Sequence, residues 1–304
     1  MHDHHFTHDT TAMIVGNGAV GLIMGWILSQ THKNIYFKTR HDTIELHKTN
    51  IHQPDGTVHE YDYRDISGAP QDTQIDLCVI AVKNYDVEHI CQTIKDRITP
   101  NTVFLTLQNG VMAPEIVAKT FPDNTVYAAS IFTNASKNNG DIYRQGDVYK
   151  MAYSRFHKGV EKGLSGFFDG SDLDVIYQDN SHAMLWNKLC FIAALAGITT
   201  YYEDTIGAIL AADEKRALAL AVLKETTDVA YAVCPELGDD LYTQKTKILL
   251  SLPPHSTSSL CRDVVGQQTN EAHSIIGAVV EKAKEIGIKT PHLSGVYDQI
   301  CTKI

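Results

Sequence analysis

Three groups of residues have types and spacings suited to chemistry. The first is Lys188, inside "AMLWNKLCFIAALAGITT" (183–200), a stretch that is apolar nearly all round. An ammonium group on such a helix must reach solvent, an anion or a reacting group. Beside a carbonyl it would stabilise the charge developing on oxygen and hand over a proton. The second group lies in "HSTSSLCRDVVGQQTNEAHSIIG" (255–277), with Ser258, Ser259, Asn270 and Glu271. Asn270 is of the type that caps a helix, and a carboxylate at the helix start is favoured by the dipole. Capping is therefore one account of Glu271, and a hydrogen bond to a substrate or to Lys188 is the other. A serine hydroxyl near a helix start suits a substrate carboxylate. The third group is Gly16-Asn17-Gly18-Ala19-Val20-Gly21, with GxGxxG spacing between an apolar strand and an apolar helix. Gly16 permits the tight turn, Gly18 lets a pyrophosphate approach the backbone, and Gly21 lets the helix lie close. The unpaired N–H groups of the helix start then face the phosphates.

The kind of dinucleotide is set at the end of the second strand. An NAD site normally carries Asp or Glu there for the ribose 2′-OH. Here the strand ends "FKTRHD", with Arg40 about where the acid belongs and Lys38 two residues earlier. A guanidinium fork suits a 2′-phosphate, which points to NADP(H). Asp42 is the competing candidate, for a strand that ends later. Lys83 follows "CVIAV" and Asn109 follows "FLTLQ", at the carboxyl ends of two further strands. Ligands of open parallel sheets collect there. Lys83 is expected at the cofactor phosphate or substrate, and Asn109 at the nicotinamide ribose or substrate.

These residues need elements to hold them. "TAMIVGNGAVGLIMGWILSQ" reads as strand, turn and helix. "NIYFKTR", "TQIDLCVIAVK", "NTVFLTLQNG" and "NTVYAASIFT" read as strands, with helices over "DVEHICQTIKDRI" and "APEIVAKTF". This alternation predicts a parallel sheet covered on both faces. "IHQPDGTVHEYDYR" is expected as a hairpin excursion, and "GDIYRQGDVYKMAYS" as an antiparallel pair turning at Gly146-Asp147. A helix near 157–169 and a strand "LDVIYQD" complete the region. After "QDNSH" (178–182) only helical patterns follow. The division is expected as a dinucleotide-binding domain over 1–180 and a helical substrate-binding domain over 181–304.

Composition narrows the function. The 304 residues are 43% hydrophobic with a net charge of −10, enough to bury a full core. No basic patch of useful size speaks for nucleic acid or an anionic membrane. The longest apolar runs are read as too short to span a bilayer. The start "MHDHHFTHDTT" lacks the form of a secretion signal, and its histidines are read as a frayed terminus. Six scattered cysteines without CxxC spacing are expected as reduced thiols, and the location as cytoplasmic. His255 and His273 have no metal-ligand spacing between them, so no metal is expected. "AGITTYYEDTIGAILAAD" is more apolar than a lone helical layer needs, which allows a homodimer through the C-terminal helices.

The pieces "IVGNGAVG", "AVKNYD", "LQNGV", "WNKL" and "HSTSSLCRDVVGQQTNE", in this order, resemble the ketopantoate reductase (2-dehydropantoate 2-reductase) family. The resemblance implies a Rossmann-like doubly wound sheet domain followed by an all-helical C-terminal domain, and reduction of a 2-keto acid with NADPH, typically in pantothenate synthesis. It implies Lys188 as general acid, Glu271 as the acidic residue at the substrate hydroxyl, and Ser259 at the carboxylate. It places Asn109 and Lys83 at the strand ends and Arg40 on the 2′-phosphate. The helix of the lysine departs from the family pattern. Positions one and two turns after Lys188, where the family usually carries asparagine, hold Ile192 and Ala196. "GQQTNE" is also one residue longer than usual. A 2-keto acid more apolar than ketopantoate is therefore expected. A cofactor-binding sensor with a degenerate substrate pocket is the alternative.

Overall fold

The computed structural model describes residues 9–41 and 43–304, apart from the side chains at positions 134, 146–148 and 165. The histidine-rich start and Asp42 lie outside the described residues. The chain divides into two units, one of residues 1–108 and 112–184 and one of 109–111 and 185–304.

In the first unit, β1 (Thr11–Val15), β2 (Asn34–Lys38), β5 (Leu77–Ile80), β6 (Val103–Thr106) and β7 (Thr125–Asn138) run parallel. Every residue of β5 and β6 is buried, as the unbroken apolar runs demand of doubly covered strands. The expected excursion is the antiparallel hairpin β3 (Leu46–His52) and β4 (Val58–Asp65), and β4 adds to the sheet parallel to β2. The sheet order is β3-β4-β2-β1-β5-β6-β7-β8-β9, with β8 (Asp141–His157) antiparallel to β7 and β9 (Asp174–Tyr177) parallel to β8.

β3 also pairs with β8, through Ile51 opposite Ile142 and His52 opposite Tyr143, so eight strands close into a ring. Helix α1 (Ala19–Ser29) packs on β1 and β2 and also on β7 and β8. All of Gly21 to Leu28 is consequently buried, which explains why this helix has no polar face. The other layer holds α2 (Val87–Thr93) and α3 (Ala113–Thr120), packed on a second core with Met13, Val15, Ile80 and Phe104.

Two expectations fail here. The turn between the antiparallel strands is at Asn139-Gly140, both at positive φ (50° and 92°), and Gly146-Asp147 lies inside the continuous strand β8. Asn-Gly is the pair that such a two-residue turn favours. The helix expected near 157–169 is a single 3₁₀ turn, Ser165–Phe168.

The second unit is helical from α4 (Ser181–Tyr202) onward, α4 itself starting in the first unit. It continues through α5 (Ile206–Ala211), α6 (Asp213–Val233), α7 (Leu241–Ser251), α8 (Ser259–Val265), α9 (Ala278–Glu285) and α10 (Pro291–Cys301). With 22 residues, α4 is long and apolar enough to cross a membrane, contrary to the expectation from apolar runs. Within the fold, 67% of its apolar window is buried, as in a core helix. Glu225 of α6 caps α10, its carboxylate accepting from the N–H groups of His292 (3.1 Å) and Leu293 (2.7 Å). All six cysteines are free, five of them buried and Cys301 exposed.

Candidate functional site

Parallel register brings the candidate residues of the sheet to one edge. Val15 lies opposite Lys38 on one side and Ile80 on the other, and Ile80 lies opposite Thr106. The loops that leave β1, β2, β5 and β6 therefore emerge side by side. The first is the glycine turn. Gly16 has φ +107°, and its N–H donates to the Lys38 carbonyl (3.0 Å), tying the turn to the end of β2. A methyl at Gly21 would collide with the Gly16 carbonyl oxygen, so only glycine lets α1 start this close to the turn. A methyl at Gly18 would meet nothing within 4 Å. Gly18 is the N-cap of α1 and supplies no side-chain acceptor, and no acid stands in the first turn, where Ala19 and Val20 follow. Open space beside an uncapped helix start fits a pyrophosphate. Asn17 donates through its amide to the Tyr63 hydroxyl of β4 (3.4 Å).

Arg40 stands just past β2 with its side chain 80% exposed, 3.9 Å from the Asp86 carboxylate. Its loop is fixed by Asp65 at the end of β4, which pattern reading did not single out. One carboxylate oxygen of Asp65 accepts from the Thr39 N–H (2.8 Å) and hydroxyl (2.7 Å), and the other from the Ser67 N–H (2.9 Å). Burial would raise this carboxyl, but the donors of Ser67 and Thr39 outweigh it and hold the pKa below the usual carboxylate range. Asp65 is thus buried and committed to Thr39 and Ser67. The signal was present as "DIS" after an alternating strand, but its partner Thr39 lies 26 residues away.

Lys83 precedes a 3₁₀ turn, Asn84–Asp86, at the end of β5. Gln108 clamps this strand end, its buried amide donating to the carbonyls of Ile80 and Val82 (2.9 Å each). The next residue, Asn109, groups with Gly110 (φ +110°) and Val111 in the helical unit.

In that unit, Lys188 shares one face of α4 with Ile192 and Ala196, at i+4 and i+8. Lys188 and Ile192 are half-buried and Ala196 is 4% exposed. Desolvation pushes the Lys188 ammonium down to a pKa of about 8, within reach of acid–base work near neutral pH. The two serines separate in role. Buried Ser258 is the N-cap of α8, accepting from the Cys261 N–H (3.0 Å) and bonded to the Thr199 hydroxyl (2.8 Å). Ser259 begins the helix and is exposed. Glu271 is 6% exposed and stands just before a π-helical turn, His273–Gly277. Asn270 supplies the local cap, its side-chain oxygen accepting from the Ala272 N–H (3.1 Å). Such π turns inside α-helices recur at functional sites. His273 bonds the Tyr297 hydroxyl (3.1 Å), and His255 is exposed.

Residues 12–157 match the family described as ketopantoate reductase PanE/ApbA, and residues 180–303 match its C-terminal counterpart. The chain belongs to the ketopantoate reductase family. Its general chemistry is reduction of a 2-keto acid to a 2-hydroxy acid with a reduced nicotinamide nucleotide. A relative from Bacillus subtilis, the uncharacterized oxidoreductase YkpB, is 28% identical over 292 residues, covering 94% of this chain and 96% of that protein. The 2-dehydropantoate 2-reductase of Streptococcus pyogenes is 24% identical over 296 residues, covering 95% and 96%. In fold, the chain is similar to the dimeric ketopantoate reductase of Staphylococcus aureus, with a TM-score of 0.84 at 21% identity, covering 96% of this chain and 98% of that one. The Rossmann-like mixed sheet followed by a helical domain is thus the fold of this ketopantoate reductase family member.

Proposed function

We propose that this chain reduces a 2-keto acid more apolar than ketopantoate, with NADPH as the preferred reductant. The observation that carries the reading is Lys188, an ammonium brought to a pKa of about 8 by desolvation on the same helix face as Ile192. A structural surface lysine would gain nothing from such a position, whereas a general acid needs a proton that leaves readily near neutral pH. Bound NADPH supplies the hydride. Lys188 stabilises the carbonyl oxygen and donates the proton that makes it a hydroxyl. Glu271 holds that hydroxyl, Ser259 receives the carboxylate, and Asn109 and Lys83 bind at the strand ends. Arg40 takes the 2′-phosphate. Its exposure, and the inward commitment of Asp65, support NADPH over NADH.

Ile192 supports the apolar substrate. A wall without a hydrogen-bond partner leaves a substrate hydroxyl unpaired, which costs a factor of roughly 10² or more. The test is NADPH oxidation over a panel of 2-keto acids that runs from ketopantoate to branched and aromatic side chains. Branched or aromatic acids are expected to show the higher kcat/KM, and Ile192→Asn to shift preference toward ketopantoate by about tenfold or more. A clear wild-type preference for ketopantoate would overturn the substrate reading. NADPH binding without turnover of any keto acid would leave the cofactor-binding sensor as the better account, a reading that the apolar Ile192 already favours.

A further inference from the structure

The long antiparallel arm of β7 and β8 has its tip tied down. At the tip, Gly140 accepts from the Thr49 hydroxyl of β3 (2.9 Å), and the Asp141 carboxylate accepts from the Asn50 N–H (3.0 Å) and side-chain amide (3.2 Å). Tyr143 stacks on His52, with ring centroids 4.3 Å apart. The arm therefore closes the strand ring over α1 and places Lys137, two residues before the turn, against the glycine turn. The Lys137 ammonium donates to the carbonyl of Asn17 (2.9 Å), the second residue of the GxGxxG segment. Asn17 is itself held by Tyr63.

Lys137 is itself exposed. Its bonding partner is a neutral carbonyl, and among the described residues no carboxylate pairs with it. Partial desolvation lowers its pKa from the ordinary lysine value, with no compensating anion among the described residues. An ammonium has three N–H donors and the bond to Asn17 uses one, so among the described residues two remain for another acceptor. The start of α1, uncapped by any side chain, lies two residues along the chain from Asn17.

We propose that Lys137 is a pyrophosphate ligand of the bound dinucleotide. The arm delivers a full positive charge to a site where the helix start offers only partial charges. The inference rests on the reading of the glycine turn as a dinucleotide site. It extends that reading to a residue 120 positions away in sequence.

A pyrophosphate contact is indifferent to the 2′-phosphate, and this separates Lys137 from Arg40. Dissociation constants for NADPH, NADH and 2′-AMP are to be measured by titration calorimetry on the wild type, Lys137→Met, Lys137→Arg and Arg40→Ala, with thermal midpoints in parallel. Lys137→Met is expected to weaken NADPH and NADH by the same factor, roughly tenfold or more. It should leave 2′-AMP unchanged, and Lys137→Arg should restore most of the loss. Arg40→Ala should weaken NADPH and 2′-AMP and leave NADH unchanged. Unaltered dinucleotide affinity in Lys137→Met would overturn the inference while the dinucleotide site stands. Equal losses in Lys137→Met and Lys137→Arg, with a lowered thermal midpoint in both, would make the lysine a tether of the arm and also overturn it. A wild type that binds neither dinucleotide would bring down the reading of the glycine turn and this inference with it.

Discussion

Replacing Lys188 by methionine is expected to do two opposite things. Methionine keeps an unbranched stem on α4 and removes the charge. In the folded chain the pKa falls from 10.5 to about 8. That drop of about 2.5 corresponds to roughly 3–4 kcal/mol at about 1.4 kcal/mol per pKa unit. The half-buried stem makes this an upper bound. The folded pKa lies below the unfolded one, so between about pH 8 and 10.5 the unfolded chain binds more protons and wild-type stability rises with pH. Below pH 8 both states are protonated and the full cost is present. Lys188→Met should therefore be more stable than the wild type at pH 7, by about 1–3 kcal/mol, and the difference should shrink as pH approaches 10.5. In the same variant kcat should fall by roughly 10² to 10⁴. Wild-type kcat should itself decline above pH 8, about tenfold per pH unit, as the proton on Lys188 is lost. Urea unfolding at pH 7 and pH 10, read beside kcat from pH 6 to 10, checks all three. A variant less stable than the wild type at pH 7, or one whose kcat stays within threefold of it, would refute the assignment of Lys188 as a desolvated acid.

Two further outcomes follow from the geometry of the scaffold. Gly21→Ala drives a methyl into the Gly16 carbonyl oxygen. It should cost about 1–3 kcal/mol and abolish NADPH binding by titration calorimetry, because the turn and the helix start move apart. Glu225→Ala removes the acceptor for two N–H groups at the start of α10. A loss of about 1–2 kcal/mol is expected, with hydrogen exchange accelerated in residues 291–301 and left unchanged in the sheet unit.

The local patterns carried most of the first unit. GxGxxG between two apolar segments, the apolar runs at 77–80 and 103–106 and the change to helical periodicity after residue 180 are all short-range signals, and the elements stand where those signals put them. Lys188 was legible for the same reason, since a charge in an apolar helix is visible without knowing the fold. The turn at Asn139-Gly140 was also readable in principle. The Asn-Gly pair is present, but by pattern alone the alternation around Gly146-Asp147 marks a turn equally well.

Long-range closure decided the rest. Which strand covers the outer side of α1 depends on Ile51 meeting Ile142, 91 residues apart, and no periodicity encodes that meeting. Asp65 looks like any strand-end acid until Thr39 and Ser67 surround it. Ser258 and Ser259 are interchangeable as letters, and only the helix start makes the first a buried cap and leaves the second exposed. Lys137 lies in a polar hairpin and acquires a neighbour of consequence only when the arm folds over the glycine turn. Residue type and local spacing fixed which groups this chain offers as candidates for binding and proton transfer. Burial, and the partners brought by distant segments, decided their charge state, their orientation and which of them are available, because desolvation and hydrogen bonding act through space and not along the chain.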